Sequence, residues 1–412
     1  NSGKGASEQS NSANTGVGEG SLLRITTGGD NTSVGRGSLS YNTTGNSSVG
    51  IGIWAGMGNA TGSANVYVGS SAGKGVANNN NSNNVGIGMD AMVAVTTGSH
   101  NVAVGSASLD ALTTGGSNVA IGYAALSAAG AGESSNIAIG ESSMTSADEG
   151  SGSGNAINTN IAIGVNSLTG GDFGSTGSRT LVDNIAIGAN ALNSTGVNSQ
   201  TGTIAIGKDA LTSLTSGLRN TAIGHQSAYY NLTGTDNTYL GYFSGSGNAG
   251  SHSHNVGIGS SALGVVTTGS SNTALGKDSS RLMTDGHNNV AIGNNSLEAS
   301  TSVGYAVAIG NDAMVNGNTT ANADGTVAIG ASSLAALITG AGNTAVGYLS
   351  MATEDGSGGS TAVGYRALKD QNGSGTYAYN TAMGFEAGLD ITTGLQNVMI
   401  GSYALGDATT EV

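Results

Sequence analysis

The chain has 412 residues, 73 of them Gly, with no Pro and no Cys; 9% are charged and 4% aromatic. Ordinary globular domains carry about 7% Gly, about 5% Pro and about 25% charged residues, so a set of conventional domains is excluded, while 37% apolar residues on a fixed beat exclude a disordered chain. The net charge of −14, from 11 Lys and Arg against 25 Asp and Glu, leaves no basic stripe for nucleic acid, and no run of about 18 apolar residues exists to span a bilayer.

Residues 1–13 are Ser, Asn, Gly and Lys without periodicity and read as a flexible lead or linker. The start at Asn1, with no charged region leading into an apolar one, suggests a targeting segment absent or already removed. From residue 14 to 412 the chain reads as a single domain of 22 repeats, each opening on a pentad Asn-x-small-aliphatic-Gly. The pentads begin at Asn14, Asn31, Ser48 and Asn65, run through Asn118, Asn136, Asn160 and Asn184, and end at Asn397. Thirteen of the 21 spacings are 17 residues and none is shorter, so the unit admits insertions but no deletions.

Position two of the pentad is Val, Ile or Thr in every unit, position four is aliphatic or Met, and position five is always Gly. β-Branched residues at period two fit a pleated strand, so each pentad is one short strand. A small residue followed by Leu or Met, as in Ala125-Leu126 and Ala210-Leu211, suggests a second, weaker strand. A Thr-Thr-Gly such as Thr96-Thr97-Gly98 then suggests a tight turn with Gly at positive φ. Stacking such units gives an all-β parallel β-solenoid of about 22 coils, a rod on the order of 105 Å at about 4.8 Å per coil.

Position three is usually Ala or Gly and position nine usually Leu or Met. Where position three becomes Tyr, at Tyr67 and Tyr239, position nine becomes Gly, at Gly73 and Gly245. Volume traded between two sites places both inside one cavity. Met399 with Leu405 does not follow this trade. With position three inward, positions two and four face outward as a column of Val, Thr and Ile that sister chains are expected to cover. Structural columns are therefore expected at Ile121, Gly122, Ile139, Gly140, Ile163, Gly164, Ile187 and Gly188, with Asn118, Asn136, Asn160 and Asn184 forming an amide ladder at the corner.

The two 24-residue units add loops near 145–159 and 169–183, where insertions in solenoids map to the surface. Asp172, Phe173 and Arg179 there, with Tyr229 and Tyr230 from an aromatic group that includes Tyr239, Tyr242 and Phe243, are candidate receptor contacts; tolerated decoration and coil filling are the alternatives. His252 and His254 form the one His-x-His, a candidate metal pair set against solvated turn residues in a Ser/Gly corner. Acidic residues such as Asp148, Glu149, Glu354 and Asp355 fall at irregular loop positions, and no calcium-binding nonapeptide array recurs. No base, nucleophile and orienting group cluster, so no enzyme and no cofactor are expected.

Asn118-Val119-Ala120-Ile121-Gly122 and its repeats resemble the YadA-like head of trimeric autotransporter adhesins and the β-roll repeats of phage tail fibres. The resemblance covers residues 14–412 and implies a left-handed parallel β-roll assembled as a parallel homotrimer, extracellular, on a cell surface or virion. Its partners would be sister chains and a host surface receptor or glycan. The unit here is longer than the family's usual one, and these 412 residues hold no heptad stalk or apolar anchor, so a virion fibre fits as well as a bacterial surface. The expected role is a fibre shaft giving reach and attachment. A second reading is a filament of trimers stacked end to end through open solenoid ends, and a third is a monomeric ice-binding or glycan-active solenoid with a flat Thr face.

Overall fold

A computed structural model describes residues 13–130, 132–147, 156–170, 180–196, 198–247, 250–315, 323–373 and 377–405. The fold is all-β, a parallel β-solenoid of about 21 turns, and the chain falls into two compact units, Asn1–Asp209 and Ala210–Val412. In the first unit, three-residue strands run from Thr15–Val17 through Val119–Ile121, Ile137–Ile139, Ile161–Ile163 and Ile185–Ile187 to Ile204–Ile206, each paired in parallel with the next. In the second unit the same pattern runs from Thr221–Ile223 to Val398–Ile400. Register places like on like: Ile137 faces Ile161, Ala138 faces Ala162 and Ile139 faces Ile163.

Every described three-residue strand after the first keeps its middle residue buried. Ala120, Ala138, Ala162 and Ala186 are fully buried, whereas positions two and four on either side are half-buried or exposed. Position nine supplies the other half of the interior, with Leu109, Leu126, Met144, Leu168 and Leu192 buried. These residues do not form a second strand. Leu109, Leu126 and Met144 have φ near +50, the left-handed region that costs an L-residue roughly 1–2 kcal/mol. The backbone there turns instead of extending, and it still donates to the following coil, as from Leu126 N–H to Ser143 O at 2.9 Å. Interior packing and this bond hold the strained conformation in place.

The invariant Gly at position five also has a positive φ, for example +136 at Gly122 and +131 at Gly140. A Cβ on Gly122 would lie 2.5 Å from the carbonyl oxygen of Gly140, so the glycine is required twice, by conformation and by close approach. The Gly of Thr-Thr-Gly is required for the second reason alone. Gly98 is not at positive φ, which corrects the expectation from the sequence; a Cβ there would meet Gly115 O at 2.6 Å. The first Thr of this motif is spent within the stack, its hydroxyl donating to the next coil, as from Thr96 to Thr113 O at 2.9 Å.

Tyr67 and Tyr239 are fully buried, and glycines make room for them. A Cβ on Gly245 would lie 2.4 Å from the Tyr239 ring, and one on Gly257 in the next coil 2.8 Å from it. Met399 follows the same rule with a different partner. A Cβ on Gly388, position nine of the preceding coil, would meet Met399 Sδ at 2.7 Å, so the extra volume is taken up one coil earlier rather than at Leu405.

Within the long units of the first half, the described parts of the inserted segments are not plain surface loops. Ala156–Asn158, Thr180–Val182 and Gln200–Thr201 pair in parallel as a second small sheet. Its central Ile157 and Leu181 are fully buried, so these insertions enlarge the core locally.

Candidate functional site

The strand face is the most regular surface of each unit. Position four is exposed at Val34, Ile51, Ile87 and Ile121 in the first unit and at Leu240, Leu275 and Met383 in the second, while Ile139, Ile163 and Ile187 are half-buried. Successive rungs therefore carry an outward column of branched aliphatic side chains with no charged residue among them.

Beside this face runs the Asn ladder. Asn136 N–H donates to Asn118 Oδ1 at 3.0 Å, Asn160 N–H to Asn136 Oδ1 at 3.1 Å, and Asn184 N–H to Asn160 Oδ1 at 3.1 Å. Each Nδ2 donates to the same oxygen and to a carbonyl near the end of its own repeat, as from Asn160 to Leu181 O at 2.6 Å. All four side chains are fully buried, so the amide satisfies backbone groups that no water reaches. Ser substitutes with its hydroxyl: Asn65 N–H donates to Ser48 Oγ at 3.3 Å. This column is a structural corner.

Asp172, Phe173 and Arg179 lie outside the described residues, as do Asp148 and Glu149. Tyr229 and Tyr230 meet edge to face at 4.5 Å, and Tyr230 is exposed. The aromatic group of the sequence separates into parts: Tyr242 and Phe243 form a second surface cluster with His225, and Tyr239 is interior. Reading by sequence proximity missed a longer ladder of exposed rings, Tyr348, Tyr365, Phe385 and Tyr403, with centroids 4.9 to 5.4 Å apart. Its signal was Tyr, Tyr and Phe at position six of three consecutive units.

His252 is not a solvated corner residue. It is fully buried, with Nδ1 2.9 Å from the Tyr239 hydroxyl, and burial pushes its pKa down to about 4. His254, at φ +59, turns outward and lies 3.8 Å from Asp236. One imidazole inside the coil and one outside cannot share an ion. Among the described residues no three His, Asp or Glu side chains gather to hold a metal.

Glu354 is likewise interior rather than a loop acid. Its carboxylate accepts from the N–H groups of Gly356 and Ser357 at 2.9 and 2.6 Å, from the Ser357 hydroxyl at 2.5 Å and from Gln371 Nε2 at 2.7 Å. Those bonds satisfy a charge that burial would otherwise make costly.

No protein-family model matches the chain, and no curated protein matches it. No helix among the described residues is long and apolar enough to cross a membrane.

Proposed function

We propose that the chain is the non-enzymatic shaft of an extracellular fibre, giving reach and attachment on a bacterial surface or a virion. In this reading the solenoid is left-handed and three chains associate in parallel through their strand faces, in the manner of the YadA-like heads and tail-fibre repeats that the pentad resembles. The observation that carries it is the outward column at positions two and four, where half-exposed Val and Ile recur coil after coil. Monomers seldom leave apolar surface contiguous over more than a few hundred Å², and sister chains with the same period would cover it rung for rung. The interior needs no partner, because Ala at position three and Leu at position nine already close it.

Cross-linking the purified chain at low concentration tests this. Trimeric bands support it, and a chain that stays single at all concentrations refutes it.

End-to-end stacking into filaments is favoured by a separate observation. Each described strand of the ladder pairs in parallel with the next at the same repeat positions, so a further coil can add in the same register. Electron micrographs showing particles of one length support the discrete fibre, and indefinite fibrils support the filament.

A further inference from the structure

This acidic chain neutralises most of its described cations. Lys208 and Lys369 lie 2.5 and 2.7 Å from Asp209 and Asp370, Arg219 lies 2.7 Å from Asp236, Arg281 2.5 Å from Glu298 and Arg366 3.0 Å from Glu386, and Lys277 pairs with Asp278. Arg24, Arg36 and Lys74 are different. Among the described residues they make no ion pair, and each rests on an aromatic ring: Arg24 Cζ is 4.0 Å from the centre of Tyr41, and Arg36 Cζ and Lys74 Nζ are each 5.1 Å from the centre of Trp54. A carboxylate cancels a cation's charge, whereas a neutral ring orients the cation and leaves its charge whole.

The repeat builds this cluster from three consecutive coils. Trp54 sits at position seven with φ +59, and its ring lies over Gly37, where a Cβ would meet Trp54 Cδ1 at 2.8 Å. Arg36 is the neighbour of that glycine in the preceding coil, and Lys74 comes from position ten of the following one. The cluster lies past the glycine turn from the strand face. Trp54 is 37% exposed, and Ile53 and Val76 nearby in sequence are exposed too. Glu19, at position six one coil before Arg36, is exposed and outside ion-pair distance of it.

We propose that Arg36, Trp54 and Lys74 form a binding site for an acidic sugar, a pyranose that carries a carboxylate. The guanidinium fork and the ammonium are the donors a carboxylate takes, and the indole rim supplies an apolar edge for the C–H face of the ring that bears it. A pyranose presents both groups rigidly, so little ordering entropy is lost, whereas an acidic peptide would have to order a flexible stem. Nucleic acid is disfavoured because the net charge of −14 repels a long run of phosphates. The biological sense of the site rests on the attachment role proposed above. Its test does not, because binding is read on the full chain in whatever oligomeric state it adopts, and failure of the trimer shows only in the mass.

Trp54 is the one tryptophan of the chain, so its fluorescence reports the site directly. The probes are trigalacturonate and sialyllactose, with maltotriose and lactose as neutral counterparts, followed by Trp emission and by calorimetry in parallel. The expected result is saturable binding of an acidic sugar that weakens at least about fivefold between roughly 50 and 300 mM salt. Arg36→Gln with Lys74→Gln should weaken it at least about tenfold while leaving the circular dichroism unchanged, and Arg36→Lys with Lys74→Arg, which keeps both charges but displaces the fork, should bind more tightly than the Gln pair. Absence of binding by both acidic sugars overturns the proposal, as does equal binding of the neutral ones or full binding by the Gln variant. Tighter binding of a poly-glutamate peptide or a single-stranded oligonucleotide would overturn the assignment to sugar.

Discussion

Tyr67 occupies the space that a side chain on Gly73 would need: a Cβ there would lie 2.2 Å from Cδ1 and Cε1 of the ring. The Tyr67 hydroxyl is 2.6 Å from Asn81 Oδ1, so the ring is fixed at both ends inside the coil. Overpacking a core costs about 1–3 kcal/mol, and φ +58 at residue 73 adds strain for any L-residue. Gly73→Ala should therefore destabilise the fold by about 3 kcal/mol or more in urea titrations. Tyr67→Ala combined with Gly73→Leu restores the pairing of the ordinary coil and should recover much of that loss. Strictly additive single effects would show that the two positions do not share a cavity.

The Asn ladder makes a sharper claim. Asn136→Ala removes the acceptor of Asn160 N–H and the donor to Ile157 O, both in the interior. Each orphaned buried group costs about 1–3 kcal/mol, so a loss of roughly 2–5 kcal/mol is expected, with amide exchange rising first in the coils that contain Asn136 and Asn160. Unchanged exchange there would mean that the ladder is ornamental.

Acid should loosen the second unit through His252. Its folded pKa of about 4 lies below the ordinary histidine value near 6.5, because burial disfavours the imidazolium. The unfolded chain binds the proton more readily, so stability from this residue is full above about pH 6.5. It falls as pH drops towards 4, by about 3 kcal/mol in all. Denaturation curves at several pH values, compared with His252→Gln, isolate this residue from the carboxylates that titrate in the same range. Parallel pH profiles for the two proteins would contradict the assignment.

On the strand face, charge should break association and spare the coil. Ile163→Lys with Ile187→Lys places ammonium groups where sister chains are proposed to meet. The pair should lower the sedimentation coefficient while leaving the circular dichroism intact. By contrast, Ala162→Leu, fully buried at the middle of the same strand, should unfold neighbouring coils. Equal effects from the two faces would be incompatible with an inward position three.

Much of this was legible because the repeat reports on itself. Val119-Ala120-Ile121 shows its inward residue by alternation, and the Tyr67–Gly73 exchange shows which two positions meet. The left-handed conformation of Leu109 and Leu126 left no trace, since Leu has no intrinsic preference for it and only the packed interior imposes it. His252 was misread because its neighbours are Ser and Gly, the composition of a solvated turn, while the ring packed against it, Tyr239, lies 13 residues earlier at the start of the same repeat. The strands Ala156–Asn158 and Thr180–Val182 carried a signal in their central Ile157 and Leu181, but three residues are too few for a period to stand out.

The proposed assembly requires the Val and Ile of the strand face to be covered by copies of the same chain. Light scattering on the purified protein measures this directly. The expected mass is three times 39.7 kDa, stable on dilution to low concentration. A species of 39.7 kDa that stays soluble and folded would contradict it.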